Sequence, residues 1–299
     1  MAQRFALVTG VSSGIGRGIA EKLAANGMHV LGSVRKPEDA APLVDAHAGR
    51  FTPLVFDVRD DEAIAAAVPV VEELVGSAGL AGLVNNAGIG NSGPVMHVPM
   101  DEIRLMFDVN VFGALQVTRA FLPFLGTAEA YREQPGRIVN ISSVAGRIVH
   151  PFNATYAASK FALEALSDGL RRELTIYGIG VVVVEPGLVK TPMWGKRVGR
   201  PLTSDDAPRS LFARTDFAPY LPGPGAKAEA NHHRAVAEAV TVESVSNAVW
   251  EALTAASPRT RYMLPDGALK RRLRQRYLYT HMPDEWIDRR IALARLTPE

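Results

Sequence analysis

Short apolar runs alternate with amphipathic segments along the first two thirds of the chain. The first runs, FALVTG and MHVLGSV, are apolar at nearly every position, and the segment between them repeats its apolar residues at helical spacing. Four more strand-like runs follow before Gly187, each separated from the next by a helical pattern. Strands that are apolar throughout are typical of a parallel sheet covered by helices on both faces. With a last strand at Arg261 to Leu264, the pattern predicts a doubly wound α/β fold with a seven-stranded parallel sheet.

Longer segments complete this organisation. Residues 100–125 and 154–177 are predicted as long helices, and Thr241 is predicted as the N-cap of a helix that ends near Ala256. Residues 188–240 are rich in proline and polar residues, which predicts a long excursion that carries substrate contacts. Residues 265–299 are predicted as a basic C-terminal helical extension. No repeat or linker divides the chain, so we expect one domain over residues 1–299.

Composition limits the functions that this chain can have. Its 299 residues are 47% hydrophobic and 21% charged, as in an ordinary globular protein, and no apolar run approaches the ~18 residues of a membrane span. The absence of cysteine excludes disulfides, thiolate metal sites and cysteine nucleophiles, and we expect no metal. We predict a cytoplasmic protein that does not bind nucleic acid. The tail from 268 to 299 has eight Lys/Arg against four Asp/Glu, which favours a solvated helix and leaves peripheral contact with acidic lipids open.

The candidate chemistry begins with a tyrosine and a lysine four residues apart. Tyr156 and Lys160 lie on the same face of a helix at this spacing, with Ser142 and Ser143 a short way upstream. A nearby ammonium favours the phenolate and lowers the pKa of a tyrosine toward neutral pH. Such a pair can give a proton to a carbonyl or take one from an alcohol, although the spacing alone is common on ordinary helices.

A glycine-rich turn follows the first strand and supports two interpretations. Glycines in such a turn let backbone N–H groups approach a pyrophosphate, which then lies at the positive end of the next helix. The same letters match GxSxG, the nucleophile elbow of α/β-hydrolases, with Ser12 as nucleophile. The position after the first strand favours the phosphate-binding interpretation. Its candidate residues are Gly10, Ser12, Ser13, Gly14, Ile15 and Gly16.

Taken together, these motifs resemble the short-chain dehydrogenase/reductase family. The resemblance covers residues 4–191, is closest to the branch containing 17β-hydroxysteroid and retinol dehydrogenases, and implies a Rossmann-type fold. It is carried by TGVSSGIG at 9–16, Asp57-Val58, Asn85-Asn86-Ala87-Gly88, Asn110, Ser143, Tyr156, Lys160 and Pro186-Gly187 to Thr191.

The resemblance implies a role for each catalytic residue. Tyr156 is then the general acid/base, and Lys160 lowers its pKa and hydrogen-bonds the nicotinamide ribose. Ser143 orients the substrate oxygen, whereas Ser142 is expected to face the other way. Asn110 holds a water in a proton relay to Lys160, unless it only bonds the backbone of its own helix.

The resemblance also implies a dinucleotide site beyond the turn. Asn85 is expected to tie strands together rather than touch the cofactor, and Asp57 has a competing role as a helix N-terminal charge. Because Ser33-Val34-Arg35-Lys36 carries no carboxylate where NAD-specific members have one, and Arg35 suits a 2′-phosphate, we predict NADP(H) over NAD(H). The remaining cofactor residues are Arg35, Asp57, Val58, Asn86, Ala87, Gly88, Tyr156, Lys160, Pro186, Gly187, Val189 and Thr191.

The sequence indicates a substrate class without naming a substrate. Apolar residues after Ser143 and in the excursion predict a pocket for a hydrophobic ketone or secondary alcohol of steroid, retinoid or long-chain type. The candidate substrate residues are Val144, His150, Asn153, Met193 and Trp194. An NADP-dependent oxidoreductase fits every motif, and a non-enzymatic dinucleotide-binding regulator and a Ser12 hydrolase are the alternatives. Apolar faces on the helices at 100–125 and 154–177 predict a homodimer or homotetramer.

Overall fold

Seven parallel strands form one sheet at the centre of the molecule, in the order β3-β2-β1-β4-β5-β6-β7. The computed structural model describes residues 3–91, 93–189, 191, 196–197, 200–201 and 239–264. The strands are β1 (Arg4–Val8), β2 (Met28–Val34), β3 (Phe51–Val55), β4 (Gly82–Asn85), β5 (Arg137–Ile141), β6 (Gly180–Pro186) and β7 (Arg261–Leu264). The predicted seven-stranded parallel sheet is confirmed.

Helices cover both faces of this sheet. They are α1 (Gly14–Ala25), α2 (Ala41–Ala46), α3 (Asp61–Val75), α4 (Met100–Phe107), α5 (Ala114–Phe121), α6 (Ala154–Glu173) and α7 (Val242–Thr254). The N-cap of α7 is Thr241, whose hydroxyl accepts a hydrogen bond from the Ser244 N–H at 3.1 Å, as predicted. Short 3₁₀ turns extend α6 to Tyr177 and form Val144–Gly146.

Most strand positions on both faces are apolar because helices cover both faces of the sheet. Successive side chains of a strand point to opposite faces. In β1, Ala6 and Val8 pack into the layer that contains α1 and α7, whereas Phe5 and Leu7 pack into the layer that contains α3 and α5. The fold therefore has three layers with two hydrophobic cores.

One long helical segment, Met100–Leu125, is not uniform. A π-helical turn, Asp108–Gly113, separates α4 from α5, and a 3₁₀ turn ends the segment. By length and composition alone this segment is apolar enough to cross a membrane, with a best-window hydropathy of 1.2. Here Val117 and Phe121 are fully buried in the core shared with the sheet, so its apolar face is that of a helix covering a sheet.

The ends of the long excursion lie side by side. Val189 and Val240 form a parallel bridge, and the Val240 N–H donates to the Leu188 carbonyl at 2.7 Å. Between them the structure describes a two-residue antiparallel pairing of Lys196–Arg197 with Arg200–Pro201. The predicted extension at 265–299 lies outside the described residues.

The strand order creates a crevice at one edge of the sheet. The chain leaves β1 for β2 and β3 on one side and then returns to β4 on the other side of β1. At such a switch point the loops after the two strands diverge and leave space between them. The loops after β1 and β4 carry the glycine-rich turn and the segment Asn86 to Gly88.

Candidate active site

The glycine-rich turn requires glycine at three positions for different reasons. Gly10 and Gly14 have positive φ values of 71° and 60°, which disfavour any residue with a Cβ. A Cβ added to Gly16 would collide with the Gly10 carbonyl oxygen and the Asn86 side-chain amide. The turn is therefore specified by backbone conformation and by close packing.

Hydrogen bonds from the loop after β4 hold this turn in place. The Asn86 side-chain amide donates to the carbonyls of Thr9 and Gly10, at 2.8 and 3.1 Å. The backbone N–H groups of Asn86 and Ala87 both donate to the Thr9 hydroxyl at 3.0 Å. Asn86, predicted to contact the cofactor, thus uses its side chain to fix the turn, while its position still forms part of the cleft wall.

The N-terminus of α1 is suited to an anion. Ser13 is its N-cap but makes no side-chain capping bond, and the first turn of α1 contains no acidic residue. Backbone N–H groups and the positive end of the helix dipole therefore point at the crevice without an internal partner. A pyrophosphate fits this arrangement.

A cleft of about 520 Å³ runs along the carboxyl ends of the strands. This volume suits a cofactor-sized ligand. All the predicted cofactor residues lie on its wall, from the glycine turn and Arg35 to Tyr156, Lys160 and Thr191. Of the predicted substrate residues, Val144, His150 and Asn153 are not on this wall, and Met193 and Trp194 lie outside the described residues.

One end of the cleft contains two arginines and an aspartate. Arg59, which was not predicted from the sequence, binds Asp57 with two hydrogen bonds. Its Nε donates to Oδ1 at 2.9 Å and its Nη2 donates to Oδ2 at 2.8 Å. The bonded Arg59 guanidinium, and to a lesser degree the charge of Arg35, hold the pKa of Asp57 below its usual value. Asp60, not Asp57, caps α3 by accepting from the Ala63 N–H at 2.9 Å. The Asp57 carboxylate is thus paired with Arg59 and makes no hydrogen bond to the first turn of α3, which does not support its alternative role as a helix N-terminal charge.

The other end of the cleft contains Tyr156 and Ser143. Tyr156 lies in the first turn of α6 and is 8% exposed, and burial raises its pKa to about 12. A hydrogen bond from the Ser143 hydroxyl acts in the opposite direction and lowers this pKa. The Ser143 hydroxyl accepts from the Ala145 N–H at 3.1 Å, and its single hydrogen is directed either at the Pro186 carbonyl, 3.3 Å away, or at Tyr156.

Lys160 is buried one turn after Tyr156. Its ammonium donates to the Ile141 carbonyl at 2.9 Å and lies 5.8 Å from the centre of the Tyr156 ring. Burial lowers the pKa of Lys160 to about 8, and the charge of Glu164 opposes this shift. The expected net lowering of the Tyr156 pKa is corrected, because burial outweighs the effect of the Lys160 ammonium, which is directed at a backbone carbonyl.

Asn110 occupies the π-helical turn and contacts the loop after β4. Its side-chain amide donates to the Ile89 carbonyl at 2.9 Å and to the Ser159 hydroxyl at 3.0 Å, and its oxygen accepts from the Ile89 N–H at 2.8 Å. The alternative in which Asn110 bonds only its own helix is therefore wrong. A Cβ at Gly88 would lie 3.2 Å from Asn110 Oδ1 and 3.7 Å from Lys160 Nζ, so both groups border the same space.

Two neighbouring polar residues have structural positions. Asn85 donates to Thr118 at 2.9 Å and to Asn140 at 2.8 Å, so it ties β4 to α5 and β5 as predicted. Ser142 contributes to the cleft wall, and its hydroxyl would lie 2.9 Å from a Cβ added to Gly146.

These features define a class of protein. A phosphate-binding helix terminus and a buried tyrosine with a serine partner lie in one cleft at the switch point of a doubly wound sheet, which is the arrangement of a dinucleotide-dependent oxidoreductase. The family model of the short chain dehydrogenases matches residues 4–200. The chain belongs to the short-chain dehydrogenase/reductase family and is an oxidoreductase that acts on CH–OH and ketone groups.

Curated relatives place the chain near the expected branch of this family. An NADPH-dependent 3-dehydrocapnine reductase of Ornithobacterium rhinotracheale is 40% identical, over 96% of this chain and 95% of that protein. The 17-beta-hydroxysteroid dehydrogenase type 6 of Bos taurus is 40% identical over 66% of this chain and 61% of its own length. Retinol dehydrogenase 16 of Mus musculus is 33% identical over 88% of this chain and 80% of that protein. The predicted family and branch are confirmed.

Solved structures agree on the fold and include both cofactors. A short chain dehydrogenase of Burkholderia cenocepacia in complex with NADP has a TM-score of 0.68 and 26% identity, over 99% of this chain and 98% of that chain. A member from Burkholderia phymatum in complex with NAD has a TM-score of 0.71 and 27% identity, over 92% and 94%. The Rossmann-type fold is thereby confirmed.

The two alternative functions are wrong. Family membership identifies an oxidoreductase, which excludes a purely regulatory nucleotide-binding protein. A hydrolase would need a histidine beside Ser12 as general base. Among the residues that the structure describes, no histidine lines the cleft, and the acidic side chain there, Asp57, is already paired with Arg59.

Proposed function

We propose that this protein interconverts a hydrophobic ketone and a secondary alcohol with NADP(H), using Tyr156 as general acid/base. The observation that carries the proposal is the placement of a buried tyrosine, hydrogen-bonded by Ser143, in the same cleft as the anion-binding terminus of α1. One end of the cleft suits phosphate groups, and the other suits proton transfer. A nicotinamide cofactor joins these two functions.

The proton chemistry is assigned to residues of this chain. The nicotinamide, when bound, supplies or accepts the hydride. In ketone reduction the Tyr156 hydroxyl donates its proton to the substrate oxygen, and Ser143 donates a hydrogen bond to the same oxygen. The Lys160 ammonium stabilises the phenolate that remains. Asn110 fixes the loop at Ile89, and a water relay from Asn110 to Lys160 is proposed to return the proton.

Preference for NADP(H) is proposed from the charges at the adenosine end of the cleft. Asp57 is neutralised by Arg59, so the Arg35 guanidinium is available to a 2′-phosphate, which it suits through its planar fork. The full-length relative from Ornithobacterium rhinotracheale is NADPH-dependent, which supports this assignment.

Replacing Arg35 tests the cofactor assignment. In Arg35→Asp, we expect the ratio of kcat/KM for NADPH to that for NADH to fall about 100-fold. The reason is that the aspartate repels the 2′-phosphate that the arginine attracts. The control is Lys36→Asp, an exposed neighbour that is not on the cleft wall and should change the ratio little. Equal or faster turnover of the unmodified protein with NADH contradicts the assignment.

The substrate is proposed to be a hydrophobic carbonyl compound of steroid, retinoid or long-chain type. The curated relatives include dehydrogenases named for 17-beta-hydroxysteroids and retinol and a reductase named for 3-dehydrocapnine. The relative with 95% coverage makes 3-dehydrocapnine the first compound to test. A long-chain methyl ketone, all-trans-retinal and androstanedione complete the panel.

The test is consumption of NADPH, followed by its absorbance, with each ketone of this panel and with the aldehyde all-trans-retinal. We expect turnover with at least one ketone, and we expect Tyr156→Phe to lower kcat at least about 1,000-fold while NADPH still binds. Ser12→Ala is the control for the discarded hydrolase, assayed on a nitrophenyl ester. Tyr156→Phe with normal turnover would overturn the proposed mechanism.

A further inference from the structure

A cluster of charged side chains lies behind the catalytic wall, on the side of α6 that carries Lys160. Glu164 is one helical turn after Lys160 and is only 6% exposed, and Glu185, the next-to-last residue of β6, is 1% exposed. Neither carboxylate contacts the cleft. Buried carboxylates cost free energy unless they are paired, so their retention here calls for a specific role.

Two arginines from different elements bind these carboxylates. Arg147, which follows the 3₁₀ turn after Ser143, donates from Nε and Nη2 to Glu185 Oε1 at 2.9 Å, and its Nη2 lies 3.5 Å from Glu164 Oε2. Arg261, at the start of β7, lies 3.2 Å from Glu164 Oε2 and 3.3 Å from Glu185 Oε1. The cluster therefore joins α6, β6, β7 and the turn beyond Ser143.

Glu164 also faces the strand end that positions Lys160 and Ser143. A Cβ added to Gly146 would lie 2.9 Å from Ser142 Oγ and 3.0 Å from Glu164 Cγ, so this turn is packed tightly on α6. Ser142 Oγ and Glu164 Oε1 are both buried. Burial and then the Glu185 carboxylate raise the pKa of Glu164, whereas the Ser142 hydroxyl, Arg147 and Arg261 oppose this shift. Since Lys160 binds the Ile141 carbonyl, successive turns of α6 hold successive residues of one strand end.

Glu164 also acts on Lys160 through its negative charge. Residues four apart on a helix have Cβ atoms about 6 Å apart, so Glu164 is an anionic neighbour of Lys160. The positive charges of Arg147 and Arg261 compensate the two buried carboxylates. Asp168, further along α6, accepts hydrogen bonds from Nη2 of Arg261 and Nη2 of Arg171, both at 2.7 Å. The Glu164 charge accordingly raises the pKa of Lys160, against the larger lowering by burial.

We infer that Glu164 is a positioning residue of the active site: its carboxylate holds the Ile141–Ser143 strand end against α6 and keeps Lys160 in the ammonium form. Arg147 and Arg261 keep Glu164 ionised and fixed in place. This inference rests on the proposed function, because it concerns the Tyr156–Lys160 pair. A buried ion cluster is often no more stabilising than apolar residues of similar volume, which favours this role over one in stability alone.

The pH profile of ketone reduction tests the electrostatic part of the inference. Removing an anion favours the phenolate over the phenol and the amine over the ammonium, so both steps of the coupled pair move to lower pH. In Glu164→Gln, we expect the midpoint of the alkaline fall in kcat/KM to move down by about 0.5–1 pH unit. Glu164→Asp retains the charge and should restore most of the midpoint. The substrate is the ketone of the above panel with the fastest turnover.

Two variants distinguish this role from a general loosening of the fold. Asp168→Asn removes a carboxylate that binds the same Arg261 but lies two helical turns from Lys160, so the midpoint should stay unchanged. Arg147→Gln removes a cation from the cluster, while Arg261 still binds both carboxylates and keeps Glu164 ionised near pH 8, so the midpoint should move to higher pH. Opposite signs for Glu164→Gln and Arg147→Gln cannot come from loss of stability.

The outcomes separate this inference from the proposed function. An unmoved midpoint in Glu164→Gln, an equal shift in Asp168→Asn, or a downward shift in Arg147→Gln overturns the role of Glu164. If Glu164→Gln does not fold, the direction of the Arg147→Gln shift decides. A Tyr156→Phe variant that keeps full turnover overturns the proposed function itself, whereas an inactive Tyr156→Phe with no shift in Glu164→Gln overturns only this inference.

Discussion

Burial determines the behaviour of the two ionisable residues at the centre of the site. It raises the pKa of Tyr156 to about 12 and lowers the pKa of Lys160 to about 8, because removal from water disfavours both charged forms. The hydroxyl of Ser143 and the carboxylate of Glu164 oppose these shifts. Ser143 and Glu164 thus offset part of the free energy that is needed to bury the charged forms of Tyr156 and Lys160.

Opposite pH dependences for the two reaction directions follow from this arrangement. Ketone reduction needs the protonated form of Tyr156 beside a charged Lys160, so kcat/KM should be flat below about pH 8 and fall above it. Alcohol oxidation needs the phenolate, and because burial raises the pKa of Tyr156 to about 12, its kcat/KM should rise with pH throughout the range below that value. Initial rates of reduction and of oxidation, measured in buffers whose pH ranges overlap, give the two pH profiles. Oxidation that slows with rising pH would contradict the assignment of Tyr156 as the base.

At the scale of elements, the site is assembled where strands end. The turn after β1, the loop after β4, the turn after β5 and the end of β6 each contribute one wall of the cleft, and α6 closes it with Tyr156 and Lys160. Hydrogen bonds join some of these loops, such as those from Asn86 to the glycine turn. Substitutions that separate two loops should therefore weaken cofactor binding.

Gly16→Ala tests this dependence. The added Cβ collides with the Gly10 carbonyl and the Asn86 amide, so we expect a loss of about 1–3 kcal/mol in unfolding free energy. NADPH affinity should fall at least about tenfold, as measured by fluorescence titration. Gly169→Ala is the matched control, since its Cβ would only approach Glu173 Oε1 at 3.9 Å on α6. It should stabilise the fold by about 0.4–1 kcal/mol and leave NADPH binding unchanged.

At the scale of the whole molecule, association through the long helices is the open prediction. Phe112, in the π-helical turn, is 52% exposed and Phe161, on α6, is 42% exposed, so both helical segments present aromatic surface. Exposed aromatic residues on neighbouring elements are typical of protein interfaces. We therefore keep the proposal of a homodimer or homotetramer formed through these helices.

The double variant Phe112→Glu/Phe161→Glu tests the oligomeric state. Buried charges at an interface oppose association, so we expect the molecular mass from light scattering to fall to that of a monomer, with far-UV circular dichroism unchanged. Val70→Glu, an exposed apolar position on α3, is the control and should leave the mass unaltered. A monomeric parent protein, or a double variant with the parent's mass, would contradict the proposed interface.

The sequence by itself determined the fold class, because continuous apolar strands alternating with amphipathic helices are compatible with few arrangements besides a covered parallel sheet. It also identified the glycine turn, Tyr156, Lys160, Ser143 and Asn110, since these are local motifs whose order along the chain carries information. The positions of α6 and of the strand at Arg261–Leu264 followed from the same periodicity.

Only the tertiary structure decided which groups meet. Glu164, Glu185, Arg147 and Arg261 come from four different elements, so no local pattern of the sequence predicts their cluster. The pKa of Tyr156 rises rather than falls because burial, which depends on all surrounding chain segments, outweighs a cation one helical turn away. Charge and burial act through space, and spacing along the chain does not encode them.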